Sequence, residues 1–535
     1  MHMMRPLLGR AGVSVLNGLL QVTVSLGFVW MSKRVVDIAT GQLDAPLGRN
    51  AAFFATIMLV QILCRTFSRY WEALMVVDSQ NDTRKSVFEK VIRSTWDGKE
   101  RFHSGDTVNR LEDDIRIVCD FLCVNLPELV VTVVQLVAAT IFLFRLNSSL
   151  AWILVWIMPI AVLGSRLFFR RMRRITNEIR AGDSKIQGHM QENIQHKILV
   201  RTMGRSGGVV NMLGDLQAAV RKKTITRMNY AAVARFFLQL GFAAGYGLAF
   251  LWGVYGLRNG TVTYGLMVAF LQLVGQVQRP IADITQQVPA FIKALSSEDR
   301  LLDLIELEQE NEGSPIVMEG APGIRLDALS FAYPGSEKQV VDSLDYDFRP
   351  GTMTAILGPT GAGKSTLVKV IMTLLKPSAG KVVLYDGKRE CESQVATRCN
   401  FMYVPQGNSL MSGTIRQNLL LARPEATEDE IKTALHLAAA DFVFSLKDGL
   451  ETECSEKGNG ISEGQAQRIS IARALLRPGG VLVLDECTSA LDADTEKELL
   501  HRMHDHFYGT KTILCITHRP AVTDFADAIL KVEDK

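Results

Sequence analysis

The first half of the chain is dominated by apolar runs too long and too continuous for an ordinary soluble core. Six stretches, roughly 11–32, 51–75, 126–145, 149–169, 232–257 and 263–288, come close to or exceed the length of about 20 apolar residues that crosses a hydrocarbon layer. The second carries Arg65, Arg69 and Glu72, and the sixth contains Gln272, Gln276, Gln278, Arg279 and Pro280. Residues 76–96 (VVDSQNDTRKSVFEKVIRSTW) continue the second span with helical periodicity and no breaker, which predicts a helix projecting well beyond the bilayer. At its tip, KERFHSGDTVNRLEDD reads as a Ser-Gly-Asp break followed by a short amphipathic helix. A second long connection breaks at MGRSGGVVNML. Beyond residue 323 the pattern shortens. Residues 323–349 alternate like strands, and GTMTAILGPTGAGKSTLVKVIM reads strand, glycine loop, helix.

The fold class that follows is an α-helical six-span transmembrane bundle followed by an α/β P-loop NTPase domain. Residues 1–305 form the bundle with two arms, 306–322 an acidic linker bearing Gly and Pro, and 323–535 the nucleotide domain. Cations orient the bundle. Segments 84–116 and 166–228 are long and basic, whereas the connections at 146–148 and 258–262 span only a few residues. By the positive-inside rule both arms and both termini are cytoplasmic. The basic N-terminus runs into an apolar segment without a small-residue cleavage site, which reads as a retained span.

Composition adds little beyond this. The chain has 535 residues, is 47% hydrophobic and carries a net charge of +3, so no polycation argues for nucleic acid. Its eight cysteines include no C-x-x-C pair, and those beyond residue 390 suit a reducing compartment. Cys119 and Cys123 lie one helical turn apart, either packed in the helix or able to bind a soft metal. Arg65, Arg69 and Glu72 share one helix face. They line a polar cavity, or neutralise one another through Glu72 and Arg69, or lie beyond the membrane.

Residues 356–366, ILGPTGAGKST, match the phosphate-binding loop G-x-x-x-x-G-K-[ST] in the strand–loop–helix setting that this reading requires. Gly358, Pro359, Thr360, Gly361, Ala362, Gly363, Lys364, Ser365 and Thr366 make up the cradle, with backbone N–H groups and a helix N-terminus aimed at the anion. Lys364 neutralises phosphate and Ser365 holds Mg2+. The strand in GGVLVLDECTSALD ends in two acids, Asp485 for the metal and Glu486 as the base that aligns water. Gln406 and His518 each follow an apolar strand, and His518 reads as a contact to the terminal phosphate.

ISEGQAQRISIARALL, together with the order of these motifs, resembles the ATP-binding cassette transporters. The first half resembles their exporter branch, RFHSGDTVNRLEDDI resembling its first internal arm and PIADITQQVPAFIKALSSEDRLLDLIE its last span. The resemblance covers essentially the whole chain. It implies that Tyr333 stacks on adenine, that Gln406 senses metal and water while touching the arm tips, and that Asp492 lies in a loop crossing a dimer interface. It also implies that Ser462, Gly464 and Gln465 contact ATP held by a second half-transporter, identical or related. ATP and Mg2+ are the implied ligands, with a multi-pass place in a bacterial inner membrane. One departure stands out: Glu463 occupies a signature position that is usually glycine. Relatives also tend to have an elbow helix before the first span and a further strand and helix after the switch histidine. An importer of the same fold and a non-transport membrane ATPase or nucleotide sensor are the alternative functions. A soluble DNA-repair or chromosome-type cassette protein is excluded by the spans.

Overall fold

A computed structural model describes residues 5–96, 98, 104–148, 151–152, 156, 169–311, 313–336, 338–454 and 461–533. The chain divides into two compact units. One contains 1–88 and 108–305, the other 89–107 and 306–535.

The first unit is helical throughout its described residues. Helices α1 (Arg5–Ala39) and α2 (Leu47–Ile92) are joined by a short turn. Then α3 (Ser104–Asn109), α4 (Ile115–Asp120) and α5 (Leu126–Leu146) form one rod, linked by π-helical turns at Arg110–Asp114 and Phe121–Asn125. After α6 (Phe169–Gln195) and α7 (Lys197–Thr202) come two further long rods, α8 (Ser206–Arg258) and α9 (Tyr264–Ile305). At 46 residues, α2 is roughly 70 Å long, more than twice a hydrocarbon core, and so includes both span and arm. Among the described residues, four helices are long and apolar enough to cross a membrane, over Ala11–Ala39, Leu47–Ile92, Gly105–Leu146 and Ser206–Arg258. The expected span at 149–169 lies almost wholly outside the described residues.

The expected Ser-Gly-Asp break is not a break. Ser104, Gly105 and Asp106 form the first turn of α3, where Asp106 complements the helix dipole, and the helix runs on to Leu146 through its π turns. The second arm does break where its glycines suggest, between Thr202 and Ser206.

Small and aromatic residues bring the membrane helices together. Phe270 and Leu273 of α9, Leu143 and Ala139 of α5, Val29 of α1 and Ala249 of α8 form a buried core, with the Trp252 and Phe270 ring centroids 5.1 Å apart. The α9 N-terminus is capped from α1, where Asp37 Oδ1 accepts from the Gly265 N–H at 3.0 Å. Large apolar side chains such as Phe53, Leu59, Ile62, Leu251 and Tyr255 remain exposed on α2 and α8, as lipid-facing or partner-facing surfaces require. In the arms, the first π turn places Arg110 and Asp114 against α9. Ser297 donates to Asp114 at 2.8 Å, Arg300 Nε donates to it at 2.8 Å, and Arg110 meets Asp303 at 3.2 Å. Burial pushes the Asp114 carboxyl up, but the Arg300 and Ser297 hydrogen bonds outweigh it and hold the group below the usual carboxylate range.

Cys119 and Cys123 are packed, with Cys123 Sγ 3.5 Å from Ser79 Oγ. Burial pushes the Cys119 thiol up to about 11, which disfavours the thiolate a metal needs, and no metal-ligand cluster occurs among the described residues.

The second unit has two main sheets. Strands β1 (Gly323–Phe331), β2 (Val341–Phe348), β3 (Met353–Leu357), β4 (Ala379–Tyr385), β5 (Glu390–Glu392), β6 (Phe401–Val404), β7 (Gly413–Thr414), β8 (Glu453–Cys454), β9 (Val481–Asp485), β10 (Thr512–Ile516) and β11 (Ala528–Lys531) follow in chain order. A four-stranded sheet, β2-β1-β4-β5, is antiparallel throughout. A five-stranded sheet, β11-β3-β10-β9-β6, is parallel throughout. Near-continuous apolar strands such as VLVLD and TILCI, buried along their length, suit a parallel sheet covered on both faces.

The arm segment assigned to this unit pairs with the linker. The Thr95 N–H donates to Glu308 O at 2.8 Å and the Glu310 N–H to Arg93 O at 2.9 Å, a short antiparallel clip around the Ser94–Gln309 bridge. Arg398 then grips Glu310 with two bonds of 2.8 and 3.0 Å. Next to the clip, Lys369 Nζ lies 5.1 Å from the Trp96 ring centroid. Gly98, at φ +84°, passes so close to Tyr333 that a Cβ there would stand 2.3 Å from the ring.

Candidate nucleotide site

The parallel sheet gathers the chemistry at one edge. β3 leads into the phosphate loop, β9 ends at Asp485, β6 precedes Gln406, and β10 precedes His518, so four strand ends converge as open α/β sheets require of a ligand site. Helix α10 (Lys364–Ile371) starts immediately after Gly363, which has φ +91°. A Cβ at Gly363 would lie 2.5 Å from Val340, so only glycine fits there.

Lys364, 5% exposed, donates to Gly358 O and Pro359 O, both at 2.9 Å. Its ammonium is therefore curled onto the loop that would hold phosphate. Ser365 Oγ donates to Asp485 Oδ1 at 2.8 Å, and Tyr403 OH reaches Asp485 Oδ2 at 3.4 Å. Asp485 is 2% exposed, and this burial pushes its carboxyl above the ordinary range against the lowering effects of Ser365 and Lys369. Two oxygen ligands beside a phosphate cradle match the hard donor set that Mg2+ prefers.

Glu486 sits at the centre of the polar contacts. Its Oε2 accepts from Gln406 Nε2 at 2.6 Å, and its Oε1 lies 3.1 Å from His518 Nε2. The backbone of Glu486 is left-handed, φ +48°, a conformation that costs a non-glycine residue of order 1–3 kcal/mol and that surrounding structure must enforce. Its own N–H donates to Ile516 O at 3.1 Å, which contributes to that enforcement.

The adenine-stacking candidate Tyr333 packs edge-on against Phe331, and its hydroxyl lies 2.9 Å from Thr366 Oγ1. Ser462 is the N-cap of α11 (Glu463–Leu476). It accepts from the Gln465 N–H at 3.3 Å, and Gln465 Oε1 accepts from the Ser462 N–H at 2.9 Å, a closed capping box. Gly464 lies against Ala490, and Glu463 is exposed. Asp492 caps α12 (Ala493–Phe507), accepting from the Thr495 N–H at 3.0 Å. The structure thus brings Lys364, Ser365, Asp485, Glu486, Gln406 and His518 to the same sheet edge in three hydrogen-bonded sets: Lys364 on its loop carbonyls, Ser365 on Asp485, and Gln406 and His518 on Glu486. Ser462, Gln465 and Asp492 are engaged in their own helix caps.

Motif reading missed the struts that join these parts. Gln467 donates to Ser489 Oγ at 3.3 Å and accepts from the Ala490 N–H at 3.2 Å, tying the signature helix to the 489–492 loop. Arg519, next to His518, donates to Leu491 O at 2.9 Å and to Ser489 O at 2.8 Å. Arg473 of the same helix donates to Ser409 O at 2.9 Å, beyond Gln406. The adjacency of Gln467 and Arg519 to named motifs was the available signal; Arg473 has only its place on the signature helix.

Residues 341–489 match the ABC transporter family and residues 12–281, half of the chain, match the ABC transporter transmembrane region family. The chain is 30% identical over 461 residues to a fatty acid ABC transporter ATP-binding/permease protein of Mycobacterium bovis, which covers 84% of this chain and 71% of that protein. It is 28% identical over 474 residues to an ATP-dependent lipid A-core flippase of Pseudomonas fluorescens, covering 87% and 77%. A solved structure of a bacterial Atm1-family ABC exporter with ATP bound shares the fold, with a TM-score of 0.80 at 22% identity over 98% of this chain and 93% of that one.

Proposed function

The chain belongs to the ABC transporter family, and from that membership we propose that it is an ATP-driven exporter half-transporter working as a dimer in a bacterial inner membrane. The observation that carries this reading is Glu486, clamped between Gln406 and His518 beside the buried Ser365–Asp485 pair.

Each residue has a defined task. Lys364 leaves the loop carbonyls to meet phosphate oxygens, and the loop N–H groups hold the chain of phosphates. Ser365 and Asp485 are the oxygens that would hold Mg2+, with Gln406 close by; when bound, the ion neutralises charge on the terminal phosphates. Glu486 orients the attacking water and accepts its proton at a carboxylate oxygen. His518 holds that carboxylate and reaches towards the terminal phosphoryl group. Tyr333 swings from Thr366 to face the adenine ring.

A dimer is favoured by surfaces of complementary chemistry. The second arm exposes Ile198, 81% accessible, together with Leu199 and Met203 around its break. The cassette carries a groove of about 450 Å3 lined by Met372, Leu374, Tyr403, Met411 and Leu421 with Arg398, Arg473 and Arg477. An apolar elbow from one copy fits such a groove on another, and differential contacts with ATP then bias the helices between inward and outward openings.

The test is Glu486→Gln in the reconstituted transporter. ATP hydrolysis falls at least about 100-fold while ATP binding persists, and ATP-dependent accumulation in inside-out vesicles stops. Undiminished hydrolysis in this variant would sink the assignment.

A further inference from the structure

The helical unit encloses a second site of different chemistry. A cavity of about 450 Å3 is walled by α1, α2, α5 and α9, and it is lined by three guanidiniums, Arg65, Arg69 and Arg279, and three carboxylates, Glu72, Glu128 and Asp283. The stripe read on α2 therefore does line a cavity, and the other helices complete it. Among the described residues no ion pair within 4.0 Å and no side-chain hydrogen bond joins any two of the six, although Arg69 and Glu72 are only three positions apart on one helix. Glu72 is within electrostatic reach of both Glu128 and Arg69, and Glu128 of Asp283, so charges of both signs share the cavity at close range without pairing directly.

Helix geometry places these six residues towards the arm side of the spans, over a range of depths. Measured along the helices from their ends at the short connections, Arg279 lies roughly 22 Å from Tyr264, Arg65 and Glu128 roughly 27 Å from Leu47 and Leu146, Asp283 roughly 28 Å from Tyr264, and Arg69 and Glu72 roughly 33 and 38 Å from Leu47. A hydrocarbon core is about 30 Å thick, so the ring runs from inside its arm-side edge to the headgroup level beyond it. Charges inside that edge are expensive to leave unmatched. Six charges of both signs with no direct ion pair among them are matched by a ligand that itself carries both signs.

We propose that this cavity is the transport site and that its substrate is zwitterionic: an ammonium is taken by Glu72, Glu128 and Asp283, and an acidic oxyanion of the same molecule by Arg65, Arg69 and Arg279. The proposal rests on the exporter reading above and narrows it. A simple anion is disfavoured, because it would engage the arginines and face the three carboxylates of the same cavity with no cation of its own. A zwitterionic lipid headgroup arriving from the inner leaflet and a soluble peptide arriving from the cytoplasm both supply this chemistry.

Binding is measured on the full-length transporter in phosphatidylglycerol nanodiscs without nucleotide, by calorimetric titration. One arm uses short-chain phosphatidylethanolamine and the other uses trialanine with free termini. Hexanoate and hexylamine serve as single-charge controls. At least one zwitterion binds more tightly than both controls by about tenfold or more, and the arm that does so identifies the source. Glu128→Gln shrinks the preference for the zwitterion over hexanoate, whereas Arg69→Gln shrinks its preference over hexylamine. These opposite changes are not what misfolding produces. Equal binding of zwitterions and hexanoate, no binding in either arm, or the same ratios in both variants would each overturn the proposal. Because nucleotide is absent, failure here leaves the ATPase reading standing, and loss of ATPase with intact zwitterion binding removes only that reading.

Discussion

In the cassette, every charge assigned to ATP chemistry already has a protein partner; in the membrane cavity, the six charges face one another without closing a pair. Lys364 rests on Gly358 and Pro359, Asp485 on Ser365, and Glu486 on Gln406 and His518. Such a site is preorganised: its groups are held at low cost between turnovers and exchange internal partners for ligand atoms. The cavity is the opposite case. Its charges are balanced in number but joined by no direct ion pair, so its complementarity is completed by what enters it. The first arrangement suits a ligand that is always the same. The second selects among ligands by charge pattern.

The sharpest way to break this comparison is to remove the cassette's central group. Glu486→Gln is expected to lower turnover by at least about 100-fold without abolishing nucleotide binding, as read by phosphate release and by retention of labelled ATP. Next in size is Tyr333. Tyr333→Ala is expected to weaken ATP binding by roughly tenfold or more through lost stacking, whereas Tyr333→Phe keeps the ring and loses only the Thr366 contact, so its affinity changes less than about threefold. If the two variants fell equally, adenine would not be resting on this ring.

A smaller effect belongs to the arm. Asp114→Asn removes the charge and one of the two acceptor oxygens that Arg300 and Ser297 use and sets an amide donor in its place, and with Arg300 half exposed the expected loss is about 2 kcal/mol, seen as a lowered unfolding midpoint. The sign with pH follows from the depressed native pKa. The contribution of Asp114 is complete above the ordinary carboxylate pKa and vanishes as pH falls through its lower native value. Acidification should therefore narrow the gap between wild type and variant. Smallest of all is Glu310→Gln, which leaves one neutral acceptor for Arg398. A loss of about 1 kcal/mol or less in cassette stability is expected, measured by denaturant titration.

The cassette's chemistry was readable because phosphate binding imposes residue types at short spacings: the loop at 358–366, the acids at 485 and 486, and single polar residues after apolar strands. The struts were not readable in the same way. Gln467 and Arg519 are unremarkable polar residues until the fold carries loop 489–492 between them. In the membrane half, the Arg65, Arg69 and Glu72 stripe was visible as a helix face, but its counterparts Glu128, Arg279 and Asp283 come from helices whose packing no single periodicity encodes. The Ser-Gly-Asp expectation at 104–106 failed because serine and aspartate open helices as readily as they interrupt them.

The clip between the first arm and the linker also constrains how the protein is made. Thr95 and Glu308 are separated by 213 residues, so at a ribosomal pace of about 5–20 residues per second the arm waits roughly 10–40 s for its partner strand. Throughout that interval its edge lacks the partner strand that completes the clip. The clip can therefore form only after every helix between its two strands has been synthesised, which makes it one of the last contacts of this unit's first strand to be completed.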